Sequence, residues 1–95
     1  MKVSNLYKAE KGLIRIHADV EDGRIRDIRI TGDFFMTPEE AIASLEGMLK
    51  GRRFEAEDVG EAIEKFYATG AITPMISKED FAKAVMGAKD EGPIA

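Results

Sequence analysis

The first third of the chain alternates between apolar and polar residues, which is the pattern of a half-buried β-strand. The alternation is clearest in residues 13–20, where Ile14, Ile16, Ala18 and Val20 share one face. A weaker run covers residues 3–9 and ends at the turn signal Glu10-Lys11-Gly12. A third run follows Asp-Gly at positions 22–23. The pattern predicts three antiparallel strands in a row.

The spacing of apolar residues after this Asp-Gly pair constrains the hairpin. With a plain two-residue loop, Asp27 and Arg29 would enter the apolar face of the preceding strand. A shift of one residue keeps Ile28 and Ile30 on that face instead. The sequence therefore predicts either a three-residue loop over residues 22–24 or a bulge near Arg26.

The remaining two thirds carry helical patterns. Thr37-Pro38-Glu39-Glu40 reads as a capping box with Thr37 as N-cap, and the first helix runs to Lys50 before Gly51. Its apolar stripe consists of Ile42, Leu45, Met48 and Leu49. Gly47, inside this helix, costs about 1 kcal/mol relative to alanine, which suggests close packing at that position.

Two more helices follow. The second spans about residues 57–68 and ends at Gly70; an extended connector of residues 72–76 leads to the third, which Ser77 caps with Asp80 at its third position. Strands first and helices afterwards predict an α+β fold, a small antiparallel β-sheet of about three strands with about three helices packed on one face. We expect residues 1–90 to form a single domain and residues 91–95 a loose C-terminal tail.

Composition narrows the classes of function. Ninety-five residues suit one domain, and the absence of cysteine excludes disulfides, Cys-ligated metal and a thiol nucleophile. The lone His17 excludes a multi-histidine metal site, and no apolar run reaches the length of a membrane span, so a cytoplasmic protein is expected. The net charge is −4, with most of the excess acid after residue 54. No basic stripe interleaved with aromatic residues indicates nucleic-acid binding.

The residues themselves show no catalytic site. No phosphate-binding loop is present, and acidic pairs such as Glu39-Glu40 sit in first helical turns, where they complement the helix dipole. Asp33 is the exception, since it stands between a strand end and a helix start and could bond backbone N–H groups there. Phe34 and Phe35 follow it and should point to opposite sides. One of them can enter the core, and the other must meet a helix of the same domain or a partner.

Three segments together resemble the small accessory domain of lipoate–protein ligases. They are DGRIRDIRITGDFF at residues 22–35, LEGMLKG at 45–51 and ITPMISKEDFAKAV at 72–85. In that family a Gly-Asp-Phe-Phe step precedes a helix that ends L-x-x-x-L-x-G. The resemblance implies that Gly32, Asp33, Phe34 and Phe35 form a corner or contact a partner. It also favours the form in which this domain is a separate chain, since the chain opens at Met1 and ends at residue 95.

The resemblance implies an accessory subunit of a two-chain lipoate–protein ligase. The large catalytic subunit would bind ATP, magnesium and lipoate, form lipoyl-AMP and transfer the lipoyl group to a lysine of an acceptor lipoyl domain. This chain would bind no cofactor and carry no active site of its own, while being required for the activation step. Its partner would be the large subunit directly and the acceptor domain indirectly, with no nucleic acid or membrane involved.

Two alternatives stay open on the sequence. The hairpin at residues 22–30 also resembles iron–sulfur scaffold and sulfur-acceptor domains, so the chain could be a cysteine-less relative that acts as a protein-binding module. A small stand-alone enzyme is the third possibility, and it would need a pair of carboxylates with shifted pKa values in a cleft.

Overall fold

The computed structural model describes residues 1–91 and has the predicted α+β fold. Its elements, in chain order, are β1 (Lys2–Ala9), β2 (Gly12–Glu21), β3 (Arg24–Asp33), α1 (Ala41–Leu49), α2 (Ala56–Ala68), α3 (Lys78–Met86) and β4 (Lys89–Asp90). The sheet is antiparallel in the order β3-β2-β1-β4. The three helices cover one face of this sheet, and the other face carries exposed polar residues.

The hairpin between β2 and β3 settles the question of register. Asp22 and Gly23 both have positive φ angles, 53° and 74°, as a two-residue hairpin turn requires. Val20 pairs with Ile25, but Asp19 pairs with Asp27, so Arg26 is an extra residue in β3. The predicted bulge near Arg26 is confirmed, and the alternative three-residue loop is not formed. The bulge returns the later isoleucines of β3 to the core face.

The core lies between the sheet and the helices. Its largest fully buried side chains are Phe66, Phe81, Ile14, Ile16, Ile25, Leu45, Leu49, Ile63, Val3, Val59 and Val85. Every element from β1 to α3 contributes to this cluster, so burial of one shared apolar surface holds the helices on the sheet.

The free edge of β3 is covered rather than left open for pairing. The Ile25 amide donates to the Arg52 carbonyl (2.8 Å), and the Ile25 carbonyl accepts from Gly51 (2.7 Å). Further along, the Ile30 amide donates to a Glu46 carboxylate oxygen at 2.7 Å. The loop after α1 and the Glu46 side chain thus form hydrogen bonds with backbone groups of β3 that could otherwise pair with a strand of another molecule.

The first helix begins later than its sequence predicts. The capping-box prediction is wrong, because α1 starts at Ala41 and Glu40 is its N-cap, with no side-chain cap hydrogen bond. Thr37 is instead engaged with Ile72: its amide donates to the Ile72 carbonyl (2.9 Å), and its carbonyl accepts from the Ile72 amide (3.0 Å). Thr37 is thus held in a β-bridge, and the hydrogen bonds of the first turn begin after it, with the Ala41 amide donating to the Pro38 carbonyl at 3.0 Å. By contrast, Ser77 caps α3 as predicted, and it forms a full capping box with Asp80.

The predicted close packing at Gly47 is also wrong. Gly47 is exposed, and a Cβ atom placed on it would have no neighbouring atom within 4 Å. Gly60, inside α2, has the same open surroundings. Neither glycine is required by packing.

Gly60→Ala is therefore expected to stabilise the protein by about 0.5–1 kcal/mol, since alanine loses less backbone entropy in a helix. Chemical denaturation followed by circular dichroism would measure the change. Gly32→Ala is the contrasting control. Its φ angle is 145° and its Cβ would overlap the Leu13 carbonyl, so we expect destabilisation by more than about 1 kcal/mol. A destabilised Gly60→Ala would show that α2 needs glycine for a reason other than packing.

A short strand, β4, was not predicted. Lys89 and Asp90 pair with Ser4 and Val3 at the β1 edge. A strand of two residues is too short to show an alternation of apolar and polar side chains, so only its pairing with β1 defines it. Glu91 is the first residue of the predicted loose tail, and its amide donates a hydrogen bond to the Lys2 carbonyl at 3.0 Å. Residues 92–95 lie outside the described residues.

Candidate functional site

The corner after β3 is closed by backbone contacts. Gly32 lies opposite Ile14 and Asp33 lies opposite Leu13. A Cβ on Gly32 would overlap the Leu13 carbonyl, so only glycine lets the two strands approach there. The Asp33 side chain is exposed and makes no hydrogen bond to another described residue. Gly32, rather than the Asp33 carboxylate, therefore fixes the geometry of the corner.

Phe34 and Phe35 point to opposite sides, as their adjacency predicts. The Phe34 ring is half-buried and meets the Phe81 ring of α3 edge-on, with centroids 5.5 Å apart at 87°. Phe35 is 80% exposed, while the next residue, Met36, is buried. Phe34 is the inward residue that the sequence required, and Phe35 finds no place within its own domain.

The bridge between Thr37 and Ile72 brings a second segment beside Phe35. Side chains that lie opposite each other in an antiparallel bridge share a face, and the residue two positions away shares it too. Phe35 is two residues before Thr37, so it lies on the same side as Ile72, which is 59% exposed. Met75, three residues further on, is 65% exposed. We name the two exposed apolar side chains that share this face (Phe35 and Ile72) the connector surface.

The connector that carries Ile72 and Met75 has a defined conformation. Buried Thr73 donates from its Oγ1 atom to the Ile76 carbonyl at 2.8 Å. Since that uses its only hydroxyl proton, the Tyr67 hydroxyl donates to Thr73 Oγ1, at 2.6 Å. Burial raises the pKa of Tyr67, which keeps it protonated as the donor at neutral pH. Met75 has a φ angle of 67°, a left-handed conformation that is uncommon for a residue with a side chain. These contacts hold the exposed residues of this segment in place.

A groove of about 310 Å³ lies beside Phe35, between the end of β3 and the start of α1. Apolar side chains, including Ile30, Phe34, Met36 and Ile42, form much of its lining. The groove could receive an apolar side chain from another molecule, next to the exposed ring of Phe35. Sequence reasoning identified Phe35 but missed Ile72 and Met75, because in residues 71–74 the buried positions are Ala71 and Thr73 while the apolar Ile72 is exposed.

A hydrogen-bonded cluster holds α3 on the sheet below this site. Tyr7 donates from its hydroxyl to Asp80 at 2.9 Å, and Asp80 accepts from the Ser77 amide at 2.9 Å. The pKa of Asp80 lies below its ordinary value near 3.8, mainly because the Ser77 amide donates a hydrogen bond to the carboxylate. The hydroxyls of Tyr7 and Ser77 lower it further by smaller amounts. The same contact with Asp80 raises the pKa of Tyr7.

This cluster predicts an acid-dependent loss of stability. Because the pKa of Asp80 is lower in the folded state than in the unfolded chain, its ionised carboxylate stabilises the fold fully at pH values above the unfolded pKa of about 3.8. This stabilisation is lost as the pH falls through the folded pKa. We expect Asp80→Asn, measured by urea denaturation between pH 7 and pH 2, to show a shallower fall in stability below about pH 4 than the wild type. Parallel curves for the two proteins would contradict this role of Asp80.

The described part of the chain offers no candidate metal centre. No three His, Asp or Glu side chains within residues 1–91 are close enough to hold a metal ion. His17 is exposed on β2, with its Nδ1 atom 3.6 Å from a Glu91 carboxylate oxygen. No helix in this part is long and apolar enough to cross a membrane. The features that stand out at the corner are apolar and exposed, as expected of a protein-binding surface.

Comparisons with known proteins agree with this picture. Residues 1–85 match the family model described as the bacterial lipoate protein ligase C-terminus. The chain is 47% identical over 85 residues to lipoate-protein ligase A subunit 2 of Thermoplasma acidophilum, covering 90% of this chain and 88% of that protein. A solved structure from that organism, described as a bi-partite lipoate protein ligase and its E2 lipoyl domain, superimposes with a TM-score of 0.84. It is 47% identical, with 90% of this chain and 94% of that chain covered.

Longer ligases contain a related segment. A lipoate–protein ligase of Streptococcus pyogenes is 46% identical over 65 residues, which are 65% of this chain and 19% of that protein. A Bacillus subtilis ligase is 36% identical over 73 residues, or 74% of this chain and 20% of that protein. The chain thus corresponds to nearly all of one relative and to about a fifth of the others. It belongs to the lipoate–protein ligase C-terminal domain family.

Proposed function

We propose that this chain is the accessory subunit of a two-chain lipoate–protein ligase. Together with a large catalytic subunit, it is required for the ATP-dependent conversion of lipoate to lipoyl-AMP and hence for lipoylation of lysines on acceptor domains. The observation that carries this proposal is the match to subunit 2 of the Thermoplasma enzyme, at 47% identity over 88% of that protein's length. The match favours this function over the iron–sulfur scaffold alternative.

In this proposal the connector surface contacts the large subunit. An isolated domain gains nothing from an 80% exposed phenylalanine, whereas an interface can bury it in a dry pocket. Phe35, with the adjoining groove, supplies the anchor, and Phe34 holds the segment on the core. Gly32 allows the tight corner, and Asp33 lies exposed at its rim.

The cofactors and substrates belong to the large subunit. Residues 1–91 offer neither a phosphate-binding loop nor a cluster of metal ligands, so ATP, magnesium and lipoate are assigned to the partner. This chain acts by ordering the partner's adenylate site and excluding water from it, since positioning and desolvation supply much of the rate in such reactions. We place the complex in the cytoplasm, where ATP is available.

The decisive experiment is lipoate-dependent ATP–pyrophosphate exchange by the cognate large subunit, with and without this chain. Exchange that requires both proteins is the expected result. Full exchange by the large subunit alone would contradict the proposal. Exchange by this chain alone would instead support the stand-alone enzyme considered from the sequence.

A further inference from the structure

The outer face of the sheet, opposite the helices, carries a band of positive charge. Cross-strand pairing places Arg29 opposite His17, His17 opposite Ser4, and Ser4 opposite Lys89. These four residues therefore form one row across all four strands, on the same side of the sheet. No acidic residue interrupts the row.

The next row adds a second arginine and an apolar centre. Arg15 lies between Thr31 and Leu6, and Leu6 is 56% exposed although it lies in the middle of a strand. We name Leu6, Arg15, Arg29 and Lys89 the basic band. Arginine is one of the residues that protein interfaces contain more often than the rest of the surface does.

The charges on this face are unevenly neutralised. Asp19 is 3.4 Å from the N-terminal ammonium, and Asp27 is 3.2 Å from the Lys50 ammonium, which lowers the pKa of Asp27. Neither Arg15 nor Arg29 makes a salt bridge within 4 Å to another side chain of residues 1–91, although Arg29 lies near enough to Asp27 to help lower its pKa.

Two further acids lie beside the band: Asp33, exposed opposite Leu13, and Glu91, 3.6 Å from His17. Both belong to neighbouring rows, so neither stands between the cationic side chains of the band. In a chain of net charge −4, this leaves a locally positive surface.

We propose that the basic band docks an acidic surface of the acceptor lipoyl domain during lipoyl transfer. This inference rests on the proposed function, which gives the chain two protein partners. The large subunit must remain bound through the catalytic cycle, and the apolar connector surface suits such a lasting contact. The acceptor domain is a substrate that must arrive and leave at every turnover. A charged face with little apolar area suits that transient encounter, because electrostatic attraction accelerates association without slowing release.

The test compares two doubly charge-reversed chains in the assembled two-chain enzyme. Arg15→Glu/Arg29→Glu alters the band, and Lys65→Glu/Lys83→Glu makes the same change of net charge on the helical side. Lipoyl transfer to the cognate apo acceptor domain gives KM and kcat, and lipoate-dependent pyrophosphate exchange reports activation without any acceptor. Both are measured at low and high ionic strength.

We expect the band variant to raise the KM for the acceptor domain about tenfold or more at low ionic strength, with exchange unchanged. The effect should shrink at about 1 M salt, where the Debye length falls to about 3 Å, and the control variant should resemble the wild type. An unchanged KM would overturn this inference alone. A fall in exchange or in assembly would overturn it too, by assigning the band to the large subunit. A wild-type chain that fails to raise exchange would contradict the proposed function and this inference together.

Discussion

Phe81→Ala is expected to lower the free energy of unfolding by about 3–5 kcal/mol, the usual cost of removing a buried aromatic ring. Phe81 is fully buried on the inner side of α3, and its ring packs edge-on against Phe34. A domain of this size has about 5–15 kcal/mol of stability in total, so the variant should be close to unfolding at 37 °C. Urea denaturation followed by circular dichroism would measure the loss.

Two companion variants separate the causes of that loss. Phe81→Leu keeps most of the apolar volume and should cost about 1.5 kcal/mol. A double-mutant cycle with Phe34→Ala should give a coupling of about 0.5–1.5 kcal/mol for the edge-on ring pair. A loss below about 1 kcal/mol for Phe81→Ala would mean that the site collapses around the smaller side chain. A coupling near zero would mean that Phe81 does not hold Phe34 at the corner.

The first three strands of the sheet could be predicted in detail because their constraints are local. In the β2–β3 hairpin, charged Asp27 and Arg29 could not share a face with the isoleucines, and a bulge at Arg26 is what the strand contains. The opposite directions of Phe34 and Phe35 follow from adjacency alone. Likewise, the cap of α3 involves Ser77 and Asp80, which are three residues apart, so no distant part of the chain had to be known.

Most of the errors occur where a distant partner decides the outcome. Thr37 has the sequence context of an N-cap, but Ile72, far along the chain, takes both of its backbone hydrogen-bonding groups. The same pairing brings Ile72 beside Phe35, so the connector surface could not be recognised from either segment alone. Gly47 illustrates the converse, since a glycine inside a helix need not have a close neighbour. Nonlocal pairing thus determines both the start of α1 and the candidate site.

Phe35→Ala is expected to weaken binding to the large subunit by at least about 2 kcal/mol, or about 30-fold in Kd. The side chain is 80% exposed in this chain and adjoins the groove of about 310 Å³, so its ring is available as an interface anchor. Its removal should change the stability of the isolated domain by no more than about 0.5 kcal/mol, because the ring is hardly buried there. Isothermal titration calorimetry with the large subunit would give Kd, and pyrophosphate exchange would lose its stimulation in parallel at limiting concentrations.

Leu6→Ser is the matched control, because Leu6 is also an exposed apolar residue, 56% accessible, but lies on the outer face of the sheet. We expect it to leave the Kd for the large subunit unchanged, while Ile72→Ala should weaken binding in the same direction as Phe35→Ala. A loss of affinity in the Leu6 variant alone would place the large subunit on the outer face, and the basic band would then belong to that interface. A threefold change or less for Phe35→Ala, with the domain still folded, would exclude Phe35 as the anchor, because removal of an interface hot spot costs about 2 kcal/mol or more.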